Sequence, residues 1–99
     1  MRILLMEITL RASWVSSLKE KRMIVKSIVQ KLKNKFNISV SEIDKQDIHK
    51  IIVIGIAGIC ANSSQADAIM ENIIDFIEYN SDAEIVDIKN ESIVNRINY

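Results

Sequence analysis

Ser17-Leu18-Lys19-Glu20-Lys21-Arg22-Met23-Ile24-Val25-Lys26-Ser27-Ile28-Val29-Gln30-Lys31-Leu32-Lys33-Asn34-Lys35-Phe36 is the stretch around which the chain is organised. Leu18, Val25, Ile28, Val29, Leu32 and Phe36 recur at helical spacing on one face, as the buried stripe of an amphipathic helix does. Ser17 and Glu20 stand in the S-x-x-E relation of a capping box and mark the helix start. The charge is unusual. Lys19, Lys21 and Arg22 crowd the first two turns, where the helix dipole is already positive and cations are disfavoured. Lys19, Arg22, Lys26 and Lys33 then run down one flank at i, i+3, i+7 and i+14, an arrangement suited to anions.

Upstream, Ile3–Arg11 alternates Leu4, Met6, Ile8 and Leu10 against a mixed face and reads as a strand. Ala12–Ser16 is a short connection carrying the only tryptophan, Trp14. Downstream, Ile38–Asp44 reads as a second strand with Ile38 and Val40 inward and Ser39, Ser41 and Glu42 near its wet edges. Ile43 breaks its alternation. After a polar turn at 45–49, Lys50–Ala61 is apolar on both faces, as a covered central strand is. Gly55 and Gly58 point to a kink, a bulge or close packing there. Asn62, Ser63 or Ser64 can cap a second helix, with Asp67 completing a looser box from Ser64. Ala66, Ile69, Met70, Ile73 and Ile77 form its inner stripe, with Asp67, Glu71, Asp75 and Glu78 opposite. Ala83–Glu91 is a fourth strand, and Ser92–Tyr99 a tail with no assigned structure.

Strand, helix, strand, strand, helix, strand in ~100 residues closes most simply as a ferredoxin-like α+β sandwich. Strands one and three lie at the centre of a four-stranded antiparallel sheet, with both helices on one face. A single domain covers residues 1–99. The second sheet face is left open, and Ile3, Leu5, Ile51, Val53 and Ile59 point that way. An aliphatic patch of that kind marks an association face, so a homodimer or larger homo-oligomer is expected.

The formal charge is zero, from 13 basic and 13 acidic residues, but it is unevenly spread. Arg11–Lys35 carries eight Lys or Arg against Glu20 alone, whereas four basic residues face eleven acidic ones from Phe36 onward. The plain reading is mutual attraction of two halves; the functional one is a basic face for a polyanion. The longest apolar run, Ile51–Ala61, is too short to cross a bilayer. The N-terminus lacks a signal-peptide core, because Glu7 interrupts it. The single Cys60 forms no internal disulfide and suits a reducing cytoplasm. A cytoplasmic protein is expected.

No catalytic pattern emerges. His49 stands near Glu42, Asp44 and Asp47, but without a second His or Cys at ligand spacing it reads as an exposed loop residue. Cys60, with no CxxC, reads as a buried small side chain. No metal or cofactor is expected. Ala12–Ser16 contains no glycine, against a phosphate cradle after the first strand. Ile, Val and Gly occupy the central strands where an RNA-recognition motif carries aromatics. Anion binding by Lys19, Lys21, Arg22, Lys26 and Lys33, with the free amides of the first turn, is the strongest candidate. Trp14 can stack on a base beside them or pack as a lid on the core.

The string Ser17-Leu18-Lys19-Glu20-Lys21-Arg22, then Val25-Lys26-Ser27 and Phe36-Asn37-Ile38-Ser39-Val40, resembles the YlxP-like proteins, a bacterial domain of unknown function. Glu42, Gln46-Asp47, Gly55-Ile56-Ala57 and Ala83-Glu84-Ile85-Val86-Asp87 extend the likeness across residues 3–91. His49 stands where the family pattern carries Trp. The resemblance implies a small ferredoxin-like cytoplasmic protein whose gene keeps company with those of translation initiation and ribosome maturation. The function expected is therefore a non-enzymatic accessory role in translation or ribosome assembly, binding structured or ribosomal RNA, or a ribosomal surface, through the first helix. The alternative is a homo-oligomeric regulatory or scaffolding module joined through its open sheet face, with a small ligand at the seam.

Overall fold

The computed structural model describes residues 1–94. Strict alternation turns Leu4, Met6, Ile8 and Leu10 to one side of the strand β1 (Arg2–Arg11), where all four are buried. Ser17 starts the helix α1 (Leu18–Lys35) by accepting a 3.1 Å hydrogen bond from the Glu20 amide at Oγ. β2 (Ser39–Asp44) and β3 (Ile51–Cys60) follow, then α2 (Ser63–Asn80) and β4 (Glu84–Val94). The cap of α2 is Asn62, not Ser64: its Oδ1 accepts from the Gln65 amide at 2.9 Å, and Gln65 Oε1 reaches back to the Ala61 amide. β4 continues past Glu91 to Val94, because Ser92, Ile93 and Val94 keep pairing with Leu4, Ile3 and Arg2. The remainder of the tail, 95–99, lies outside the described residues.

The sheet order is β2-β3-β1-β4, antiparallel throughout, so the two most apolar strands are the inner ones. This is the ferredoxin-like arrangement expected. The core forms between one sheet face and both helices. Even-numbered residues of β1 and β3 meet Val25, Ile28 and Leu32 of α1 and Ala66, Met70, Ile73 and Ile77 of α2. The helices touch through Phe36 and Phe76, whose rings meet edge to face at 5.6 Å.

Two sequence expectations on β2 and β3 change. Glu42 pairs with Ile54 and shares its inward face, so it is not a wet-edge residue. The register then slips between Glu42 and Asp44, leaving Ile43 as the extra residue of a β-bulge on the open face. Ile43 folds over Gly55: a Cβ built on Gly55 would stand 2.8 Å from Ile43 Cγ2. The glycine is there for a side chain to lie across it, with no unusual backbone angle.

Overpacking is therefore expected on substitution. Gly55→Val should lower stability by about 1–3 kcal/mol in urea unfolding, and much less in an Ile43→Ala background, where the space is free.

Candidate nucleic-acid interface

Four positions of α1 are buried at helical spacing, and the first of them is a lysine: Lys21, Val25, Ile28 and Leu32. Lys21 is only 1% exposed. Its Nζ lies 3.0 Å from Glu42 Oε2, although the carboxylate is not aligned for a hydrogen bond. The ammonium instead donates to the carbonyl oxygens of Lys45 at 2.6 Å and Gln46 at 3.4 Å. Lys21 thus holds the turn after β2, which contains neither Gly nor Pro and places Lys45 in the left-handed region at φ 55°. The Lys45 carbonyl also accepts from the Ile48 amide at 3.0 Å, so one oxygen gathers both ends of the turn. Lys21 therefore leaves the set of anion-binding candidates. It is already neutralised inside the fold.

Fixing Lys21 inward rolls the remaining cations of the helix outward. Lys19, Arg22, Lys26 and Lys33 are all exposed. At 3.6 residues per turn they fall within about 60° of one another and span about 21 Å of helix. Among the described residues the ion pairs within 4.0 Å are Arg11–Glu84, Lys21–Glu42 and Lys89–Glu7, so none of these four touches a carboxylate. The acidic residues of α2 do not reach them, because Lys31 and Lys35, on the other flank of α1, are the ones that face α2. Lys33 instead opens on a groove of about 570 Å³ with Asn37, Ser39 and Ile59 on its walls. The Asn37 and Ser39 side chains add neutral donors beside the last cation of the row.

Trp14 does not join this row. It is 49% exposed and shares a cleft with Met23, Ile24, Ser27 and Asp82, on the α2 side of α1. Its loop is pinned there by Lys50, whose Nζ donates to the Ser13 carbonyl at 2.5 Å and the Val15 carbonyl at 2.8 Å. Trp14 leans on the helix rather than standing beside its basic flank. His49 is exposed, and Cys60 is buried and free. Among the described residues no group of three or more His, Cys, Asp or Glu side chains is placed to hold a metal ion. No helix among them is long and apolar enough to cross a membrane.

The open sheet face is less uniform than its sequence suggests. Ile59 is 73% exposed, with Ile3 and Leu5 half-buried beside it. Ile51 is half-buried at the other end, and Val53 is only 3% exposed, so Val53 offers nothing to a partner. Between them β1 and β4 present Glu7, Lys89, Asp87 and Glu91.

Residues 3–90 match the family model described as a protein of unknown function, DUF503. The chain belongs to this family. The uncharacterized protein YlxP of Bacillus subtilis (strain 168) is 39% identical over 62 residues, covering 63% of this chain and 67% of that one. The de novo designed protein Foldit4 superposes with a TM-score of 0.52 at 15% identity, over 95% of this chain and 99% of the design, a likeness of fold alone. The match to the DUF503 model includes Lys21, Glu42 and the turn between β2 and β3.

Removing one partner of a buried ion pair leaves the other charge uncompensated. Lys21→Met should lose about 3–5 kcal/mol in urea unfolding, and Lys21→Met with Glu42→Leu should recover most of that. Lys26→Met, on the outer flank, should change stability by less than about 0.5 kcal/mol.

Proposed function

We propose that this DUF503 protein is a non-enzymatic accessory factor that binds structured RNA along the outer flank of α1. The observation that carries the reading is the row Lys19, Arg22, Lys26 and Lys33, exposed together with no carboxylate within 4.0 Å among the described residues. A straight row of cations about 21 Å long suits successive phosphates of a nucleic-acid backbone, which it would neutralise without reading sequence. Binding would be to structured rather than unpaired RNA, because the flank carries no aromatic platform and Trp14 lies on the other side of the helix. The resemblance to YlxP-like proteins supports ribosomal RNA and a cytoplasmic setting of translation or ribosome assembly.

The open face gives less support to a regulatory module that dimerises through the sheet. Charged residues cross it between its apolar ends, Val53 is withdrawn, and Ile43 already covers Gly55. A dry seam there would bury Glu7, Asp87 and Glu91 against Lys89 and Arg11 on that strand pair, with Arg11 already paired to Glu84, and burying carboxylates is costly unless each is paired.

Neutralising about four phosphates predicts a steep salt response. Affinity for ribosomal RNA should fall about 100-fold between ~50 and ~200 mM salt. Lys19→Glu, Arg22→Glu and Lys26→Glu together should abolish cosedimentation with ribosomes while leaving the urea midpoint nearly unchanged. A triple variant that still pelleted with ribosomes like the parent would remove this reading.

A further inference from the structure

α1 and α2 occupy equivalent places in the two halves of the fold. Each has 18 residues and follows an inner strand, and the buried set Lys21, Val25, Ile28, Leu32 recurs 45 positions on as Ala66, Met70, Ile73, Ile77. The same offset carries Arg22 onto Asp67, Lys26 onto Glu71 and Lys33 onto Glu78. These three exposed cations of α1 thus have exposed acids at the matching places of α2, whereas Lys19, Lys31 and Lys35 fall on Ser64, Phe76 and Asn80. Because the inner flanks face each other through Phe36 and Phe76, the two outer flanks look to opposite sides of the molecule. α1 packs toward the edge strand β2, where Lys33 opens beside Ser39, and α2 toward the opposite edge strand β4. Among the described residues no ion pair joins α1 to α2.

We infer that a second copy of this chain docks the outer flank of its α2 against the outer flank of α1. Laid antiparallel, the helices bring Arg22 opposite Glu78 and Lys33 opposite Asp67 in one register, with Lys26 and Glu71 three residues, or about 4.5 Å, apart along the axis between them, so that cations of one flank meet acids of the other. The two flanks are on opposite sides of one molecule, so the contact is head-to-tail. It does not close as a two-fold dimer and propagates into chains of copies. Exposed ion pairs are individually weak and screened by salt, so the association is a low-salt, high-concentration one. On the RNA reading above, the same flank of α1 serves both partners. Self-association and RNA binding then exclude each other, and RNA releases single copies from the chains.

Sedimentation without nucleic acid tests the contact by itself. At about 0.02 M salt the weight-average mass should rise with protein concentration past that of a dimer, with no plateau there. Association should weaken about tenfold or more by ~0.2 M salt. Asp67→Asn, Glu71→Gln and Glu78→Gln together should leave monomer, and so should Arg22→Gln, Lys26→Gln and Lys33→Gln. A sixfold exchange, Arg22→Glu, Lys26→Glu and Lys33→Glu with Asp67→Lys, Glu71→Lys and Glu78→Lys, keeps the net charge and should restore association. A monomer at millimolar concentration and low salt, or chains indifferent to either neutralised flank, would overturn the proposal. The acid-neutralised variant retains the whole basic flank, so its RNA binding reads the other hypothesis separately: loss of self-association with RNA binding intact is the expected pair of results.

Discussion

A lysine on the inner face of a helix has to find its counter-charge inside the protein, and the rest of this structure follows from where Lys21 finds it. The ammonium sits against Glu42 on the inward face of the edge strand β2 and donates to two carbonyls of the turn beyond it. Such a pair adds little net stability over a well-packed apolar pair, because both ions give up water to form it. Its effect is on geometry. A displaced helix would leave two charges buried without partners, so the roll of α1 over β2 is held to one value. Val25, Ile28 and Leu32 then drop into the core, and Lys19, Arg22, Lys26 and Lys33 are turned out together.

Two lysines do the work that glycine and proline do in other small folds. Neither the segment between β1 and α1 nor the turn between β2 and β3 contains either residue. Lys50 holds the first by two carbonyls and Lys21 holds the second by two carbonyls. Hydrogen bonds to a charged donor are stronger than neutral ones, which makes each lysine a fastener for backbone that has no preferred turn. The left-handed Lys45 is the local cost of that arrangement, borne at a residue whose own side chain stays in water.

The elements and their order were legible because periodicity carries them: β1 alternates strictly, β3 is apolar on both faces, and each helix repeats its stripe. That Lys19, Arg22, Lys26 and Lys33 share one exposed flank of α1 was legible for the same reason. Lys21 was misassigned by residue type, although its spacing to Val25, Ile28 and Leu32 placed it on the inner stripe. Glu42 likewise stands two residues after Val40, where alternation turns a side chain inward. A lysine and a glutamate both in core phase are a matched pair, and that signal was present in the sequence. Ile43 was not legible, since a bulge depends on what the neighbouring strand leaves open, here the bare Cα of Gly55. Nor was the side taken by Trp14, which is set by Lys50, 36 positions away in the chain.

Formal neutrality argues against polyanion binding only if the charges are mixed, and this fold keeps them apart. The two halves of the chain place α1 and α2 antiparallel with their inner flanks in contact, so residues at matching positions point to opposite sides. Acids on α2 therefore cannot screen the cations on α1 by contact. At physiological ionic strength they cannot do so at a distance either, since the screening length is about 8 Å and the molecule is 25 Å by 22 Å across its shorter axes. A phosphate backbone lying on α1 meets a local surface with the charge of Lys19, Arg22, Lys26 and Lys33, whatever the sum over the chain. The zero net charge then matters to a different encounter, that of one copy with another, where the unlike sides of two molecules face each other across the solvent.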